Sequence, residues 1–356
     1  MGIGYDTNEA INTLTQSGVY ETVLDRMVSQ GIINRKAYSL YLNDVNAGTG
    51  SILFGGVDST KYTGDLTALP LQLAPEGASL NPNQPNAFYV TLSEVAFVDE
   101  SGQSTTLSPD GFAQSALLDS GTSLTYLNND VLTSIANGLG ATFVEGQEFV
   151  VPCAYANSNA SIRYTFGGSG GPTIDVPLSQ LVFDQVLPSS EYSSTSGGCV
   201  LGVGPQQDGQ VILGDTFLRN AYVVYDQPNY QVAMAQAALN KASTSSIATI
   251  GTGTSIPGVS STASATGTQL GYAAEQTALS GIATPTASSI AAGSPTFNLG
   301  ADATASTARA TASAANGASS GSSGSGSSSS SGLAALPTAA PQAALLGMAA
   351  AGVLLW

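Results

Sequence analysis

The run Leu117-Leu118-Asp119-Ser120-Gly121-Thr122-Ser123 sets a carboxylate between two apolar residues and a Ser-Gly turn. An aspartate at a strand end, ringed by small polar groups, is placed for proton transfer. The same pattern also suits an Asx-turn residue that only closes a loop. The chain has no histidine. That excludes Ser-His-Asp triads, Cys-His pairs and histidine-based zinc sites. No metal and no cofactor is expected, and carboxylate acid–base chemistry is what remains. A second acid, Asp215, follows the apolar run Val211-Ile212-Leu213-Gly214. It reads more readily as a structural hydrogen-bonding group than as a catalytic one. Tyr5, Tyr38 and Tyr126 are candidates for gating aromatics or for plain packing.

The elements that must position Asp119 are short and mostly extended. Strand-like runs are Ala37 to Leu42, Ser51 to Phe54, Phe88 to Leu92, Val95 to Val98, and Phe112 to Leu118, which leads into Asp119. Others fall at Phe149 to Val151, Ile162 to Phe166, Val182-Phe183, Val211 to Leu213 and Ala221 to Tyr225. Gly48-Thr49-Gly50 reads as a hairpin turn. Helical spacing is confined to Val19 to Gly31, with Val23, Leu24, Met27 and Val28 on one side, and to Asn129 to Leu139. Pro75 to Asn86 reads as a linker. The pattern is that of a mostly β fold.

Composition divides the chain. Seven of the eight basic residues precede position 242, and beyond it the sequence turns to Ala, Ser, Thr and Gly. Such a segment cannot bury enough apolar surface to offset its ordering entropy. The folded part is therefore expected to end near residue 240, followed by a disordered stalk over 241–332. The net charge of −16 argues against nucleic acid and anionic membrane surfaces. It fits a surface suited to acidic surroundings, or an acidic cleft for basic substrates. Two thiols without histidine do not make a metal site, so Cys153 and Cys199 are expected to form a disulfide. Its loop of about 47 residues would stabilise by roughly 4 kcal/mol and implies an oxidising compartment. Asn159-Ala160-Ser161 is a glycosylation sequon. Small residues at Ser330, Ser331 and Gly332, a spacer, and the uncharged apolar run Ala343 to Trp356 fit a glycosylphosphatidylinositol (GPI) attachment signal over 333–356. The other reading of that run is a hydrophobic stub at a misassigned gene end.

Residues 1 to about 240 resemble the pepsin-type aspartic protease family, close to its fungal GPI-anchored, yapsin-like branch. Ala116 to Thr122 is similar to the family's second catalytic loop. Val211 to Arg219, continued by Tyr222 to Asp226, resembles its Ile-Leu-Gly-Asp segment. Met1-Gly2-Ile3-Gly4 resembles the apolar-Gly segment that closes the first lobe's catalytic loop, and Ser51 to Asp58 a strand late in that lobe. The resemblance implies a pepsin-like bilobal fold with the tail of the first lobe at 1–75 and a complete second lobe at 76–240. It implies an endopeptidase in which Asp119 is one of two carboxylates sharing a proton. Ser120 would lock the two lobes' loops together, Gly121 would allow close backbone approach, and Thr122 would hydrogen-bond the carboxylate. Leu213 and Gly214 would brace the loop from behind.

The family's first Asp-Thr-Gly loop and its flap tyrosine have no counterpart here; Asp6-Thr7 is followed by Asn8. No signal peptide opens the chain. The expectation is therefore a cell-surface endopeptidase whose first part is missing from this sequence, inactive as it stands. It would be a monomer that acts on polypeptides and is held to plasma membrane or cell wall by a GPI anchor. The alternatives are a non-catalytic surface module that retains a protease lobe, and a pair of chains that bring two Asp119 loops together.

Overall fold

The computed structural model describes residues 2–8, 20–74, 83–143, 149–183, 198–206, 209–241 and 245–263. The attachment region at Ser330, Ser331 and Gly332 and the run Ala343 to Trp356 lie outside these residues.

Two sheets carry the architecture. The first has eight strands and holds Asp119. Its main path runs Thr173–Pro177, Ser161–Phe166, Tyr89–Val98, Gln114–Leu118, Val211–Leu213, Thr125–Leu127, Val203–Pro205, with Ser104–Thr106 on the flank of Tyr89–Val98. The second has six strands in the order Ser51–Phe54, Ala37–Tyr41, Ala221–Asp226, Gln231–Ala237, Tyr62–Pro70, Val259–Thr262. Residues early and late in the chain thus share one sheet. A main core between the two sheets takes Tyr38, Leu40, Val223, Tyr225, Val232 and Met234 from one face of the six-stranded sheet. The alternate residues Ala37, Tyr41, Tyr222, Val224, Ala233 and Ala235 form a separate apolar layer on its other face. This is the period-two alternation of a sheet buried on both sides.

Most expected elements are present, with instructive differences. The helix at Asn129–Leu139 has the expected ends and buries Val131, Leu132, Ile135, Ala136 and Leu139. Gly140 ends it in the left-handed conformation (φ 63°), and its N–H caps Ala136 O and Asn137 O. The first helix is shorter than its apolar pattern, Val23–Ser29, because Thr22 and Asp25 form a reciprocal capping box at its start. Phe88 to Leu92 and Val95 to Val98 belong to one ten-residue strand, Tyr89–Val98. The strands flanking Gly48-Thr49-Gly50 do pair antiparallel, Tyr41 opposite Ser51, but through a nine-residue connection rather than a tight turn. An Asx turn at Asp44 shapes it, with Asn46 N–H on Asp44 Oδ1.

The expected start of the disordered stalk needs correction. Residues 245–263 are folded: Ile247–Thr249 pairs with Gly56–Asp58, and Val259–Thr262 with Tyr62–Pro70. The composition is Ser/Thr-rich, yet Ile250 and Ile256 are spaced to enter the second apolar layer, and both are buried.

Cys153 and Cys199 are bonded, with Cα atoms 4.9 Å apart. The bridge joins a short helical turn to the four-stranded sheet in which Phe149–Pro152 pairs with Gly198–Leu201. Replacing both cysteines with serine should lower the unfolding free energy by roughly 2–4 kcal/mol, read from urea denaturation. An unchanged midpoint would show that the bridge adds nothing to stability.

Candidate active site

Asp119 is the first residue beyond the strand Gln114–Leu118. That strand lies beside Val211–Leu213 in parallel, with Leu118 opposite Leu213. The Asp119 N–H donates to Leu213 O at 3.1 Å, carrying the ladder one step into the loop. The chain then turns back: Thr122 N–H bonds Asp119 O, Asp215 N–H bonds Thr122 O at 2.8 Å, and Thr216 N–H bonds Ser123 O at 3.1 Å. Leu213 and Gly214 therefore stand directly behind the loop. A β-carbon on Gly214 would overlap the carbonyl oxygens of Thr122 and Leu124. Only glycine allows this approach, because both obstructions are backbone.

The carboxylate is half-exposed and held at both oxygens. Gly121 N–H donates to Oδ1 at 2.8 Å and Thr122 Oγ1 to Oδ2 at 2.5 Å. Ser120 is exposed at the loop tip. Below the loop, the hydroxyls of Thr125 and Thr216 meet at 2.8 Å, and Thr216 also donates to Gly202 O. This buried pair ties the strand after the loop to the helix Asp215–Leu218. Tyr225 lies close enough to the Asp119 charge to feel it, and burial pushes its hydroxyl well above the ordinary range.

Asp215 opens the short helix behind the loop and is itself half-buried. Burial pushes its carboxyl up to about 6; the Arg219 charge opposes this and the Asp119 charge adds to it. Among the described residues no hydrogen bond reaches the carboxylate, so it is not the hydrogen-bonding group expected from sequence. Its backbone, rather than its side chain, does the bracing. Tyr38 is buried and stacks on Tyr225 at 4.9 Å, which makes it a packing residue. Tyr5 stacks on Tyr230 at 6.1 Å and its hydroxyl donates to Gln227 O. Tyr126 sits in the strand Thr125–Leu127 opposite Ile212. Sequence reasoning missed Tyr225 and the Thr125–Thr216 pair. The Gly-Asp-Thr order was a signal for the second, but nothing local marks the first.

Among the described residues no group of three or more Cys, Asp and Glu is placed to hold a metal ion. The arrangement offers one solvated carboxylate in a rigid loop, able to accept a proton from water.

Residues 1–237 match the eukaryotic aspartyl protease family, and the chain belongs to that family. It is 38% identical over 260 residues to the probable aspartic-type endopeptidase opsB of Aspergillus oryzae, covering 72% of this chain and 51% of that protein. It is 37% identical over 252 residues to aspartic proteinase 3 of Saccharomyces cerevisiae, covering 68% and 41%. It is 34% identical over 250 residues to secreted aspartic protease 8 of Candida albicans, covering 70% and 51%. The chain spans about half the length of the curated relatives it matches.

Two measurements probe this geometry. Gly214→Ala should destabilise by about 1–3 kcal/mol, whereas Gly48→Ala, with open space around its α-carbon, should leave the urea midpoint unchanged. Equal effects would mean that the loop yields. Asp215→Asn tests this half-buried acid. Below about pH 3.8 the carboxyl is protonated folded or unfolded, and nothing is lost. As pH rises to about 6 the unfolded chain gives up the proton while the fold retains it, so stability falls. The variant should match the parent in melting temperature at pH 3.5 and exceed it at pH 7. A variant less stable at pH 7 would show that the charged form is the one the fold prefers.

Proposed function

We propose that the chain carries one half of an aspartic endopeptidase site, with Asp119 as its carboxylate. The observation that carries this reading is the backbone fit of Gly214 against the Asp119 loop, in a chain whose relatives are named as aspartic proteases. In such a site two carboxylates lie close enough that they cannot both ionise, so they share one proton. One takes a proton from water as the oxygen attacks the peptide carbonyl. The other protonates the carbonyl oxygen, and the tetrahedral intermediate then breaks to release the amine. Ser120, Gly121 and Thr122 position Asp119, and Leu213 and Gly214 support the loop. The 356 residues contain one Asp-Ser-Gly and no Asp-Thr-Gly, so the partner carboxylate is not supplied by a second loop of this type. A second reading is a surface module that retains the lobe without catalysis.

The proposed setting is the secretory route and the cell surface. The disulfide is consistent with an oxidising compartment, and one relative is named as secreted. The tail sequence is read as a GPI signal with attachment near Ser330, Ser331 or Gly332. Asn159 is exposed in the loop before the strand Ser161–Phe166 and is available for a glycan. The lobe divisions at 75 and 240 remain part of this reading. No helix among the described residues is long and apolar enough to cross a membrane.

The decisive assay compares the 356-residue chain with a chimera in which the N-terminal part of the Aspergillus oryzae relative precedes it. Cleavage of an unfolded protein is followed from pH 3 to 7. The chain alone should show none, because members of a catalytic pair act as a unit. The chimera should cleave at acid pH and be silenced by Asp119→Asn and by a statine-type inhibitor. A folded but inactive chimera would favour the non-catalytic module. Statine-sensitive cleavage by the chain alone would favour two copies pairing their Asp119 loops.

A further inference from the structure

The family match ends at residue 237, but the folded chain continues past it. Residues 245–263 run across the face of the six-stranded sheet that is turned away from the main core. Ser246 N–H donates to Asp58 Oδ1 at 2.9 Å, and Ser246 O accepts from Ser59 N–H at 3.0 Å. Ile247–Thr249 then pairs antiparallel with Gly56–Asp58. Ile250 N–H reaches Gly55 O at 2.8 Å, and its side chain is buried in the layer formed by Ala37, Tyr41, Tyr222 and Val224. At the far end Val259–Thr262 adds a parallel strand to the edge of Tyr62–Pro70, and Ala263 N–H bonds Ala68 O at 2.8 Å.

Between the two strands the chain closes around a guanidinium. Arg35 is 6% exposed and pairs with the fully buried Asp226 at 2.9 Å. It also donates to three carbonyls of the crossing segment: Gly251 O at 3.0 Å, Ser255 O at 2.9 Å, and Gly253 O. Gln231 Nε2 holds Asp226 Oδ2 and Thr254 O together, at 2.8 and 2.7 Å. Asn34 Nδ2 donates to Ile250 O at 2.9 Å. A planar fork with five donors suits this shell of carboxylate and carbonyls; a lysine ammonium, with three donors at one point, does not.

We propose that residues 245–263 are a clasp that fastens the C-terminal tail to the six-stranded sheet, with Arg35 as its lock, so that lobe and tail stay joined even when the chain is cut between Lys241 and Ser245. Two strand pairings, two buried isoleucines and the guanidinium shell hold independently of the covalent link at 242–244. A cut beyond residue 263, by contrast, frees the lobe with its clasp in place. The clasp does not depend on catalysis or on a lipid at the tail's end.

The test places a site-specific protease sequence at residues 242–244 of the full chain. After cleavage, the fragment beginning at the clasp should co-elute with the rest on size exclusion and the melting temperature should hold within a few degrees. In an Arg35→Met background the fragments should separate, and Arg35→Lys should retain only part of the association. Release of the fragment from cleaved wild-type chain, with the lobe still folded, overturns the proposal. Should Arg35→Met fail to fold, Ile250→Asp and hydrogen exchange of the uncut chain decide. The amides of Ile250 and Ala263 should exchange as slowly as those of the strand Gln231–Ala237, and exchange at solvent rates would show that no clasp exists.

Discussion

The structure around Asp119 depends on one strand pairing. Val211–Leu213 lies parallel to Ala116–Leu118 although more than ninety residues separate them in sequence. A parallel pair needs a long crossover, so everything from Asp119 to Gln210 is in effect the connection that brings these two strands together. Once they are paired, the loop has little freedom. Leu213 O takes the Asp119 amide, and the chain after Gly214 returns two amides to Thr122 and Ser123. Fixing a residue's backbone costs about 1–2 kcal/mol in entropy. Here that cost is met by ladder bonds on one side and by close backbone contact on the other.

The same pairing gives two carboxylates different surroundings. Asp119 is held at both carboxylate oxygens, by the Gly121 amide and the Thr122 hydroxyl. Asp215 starts the short helix behind the loop, partly buried, and keeps its proton to about pH 6. The Asp119 charge adds to the upward shift of the Asp215 carboxyl. Burial, not residue type, sets the Asp215 carboxyl apart.

The loop and its brace were legible because their residues are constrained at every position. Two apolar residues, a carboxylate, a hydroxyl and a glycine in order leave few backbone solutions, and the glycine at 214 marks where another backbone must come close. The helix Asn129–Leu139 was legible for a similar reason: its apolar spacing is regular and a glycine stops it. The strands Tyr62–Pro70 and Gln231–Ala237 were not. The first opens with exposed Thr63, Gly64 and Asp65, and three of the second's seven residues are alanine, which is depleted in strands. They are strands because each completes the other's ladder, and no window of sequence contains both. The clasp was hidden by averaging. Serine and threonine dominate its composition, while its four large apolar residues (Ile247, Ile250, Ile256 and Val259) are spaced too widely for a periodic pattern.

The order in which the two sheets become complete follows from where their strands lie in the chain. The eight-stranded sheet uses residues 89–213 alone, so the Asp119 loop can be fixed as soon as Val211–Leu213 is available. The six-stranded sheet takes residues 37–70, then 221–237, and last 259–262. Its contacts are the most non-local in the molecule, and such pairings form slowly because loop closure must precede them. Until the final strand arrives, the edge of Tyr62–Pro70 is unpaired, and a bare strand edge invites pairing with other chains. Arg35 and Asp226 would likewise be left as a charged pair without the carbonyls that complete the guanidinium's shell. Gln227 adds the last connection: its amide donates to Ile3 O and Gly4 O, so the opening segment of the chain is tied to the end of the strand Ala221–Asp226. One sheet therefore gathers both ends of the described chain, and the segment that closes it is the one whose composition gave least sign of structure.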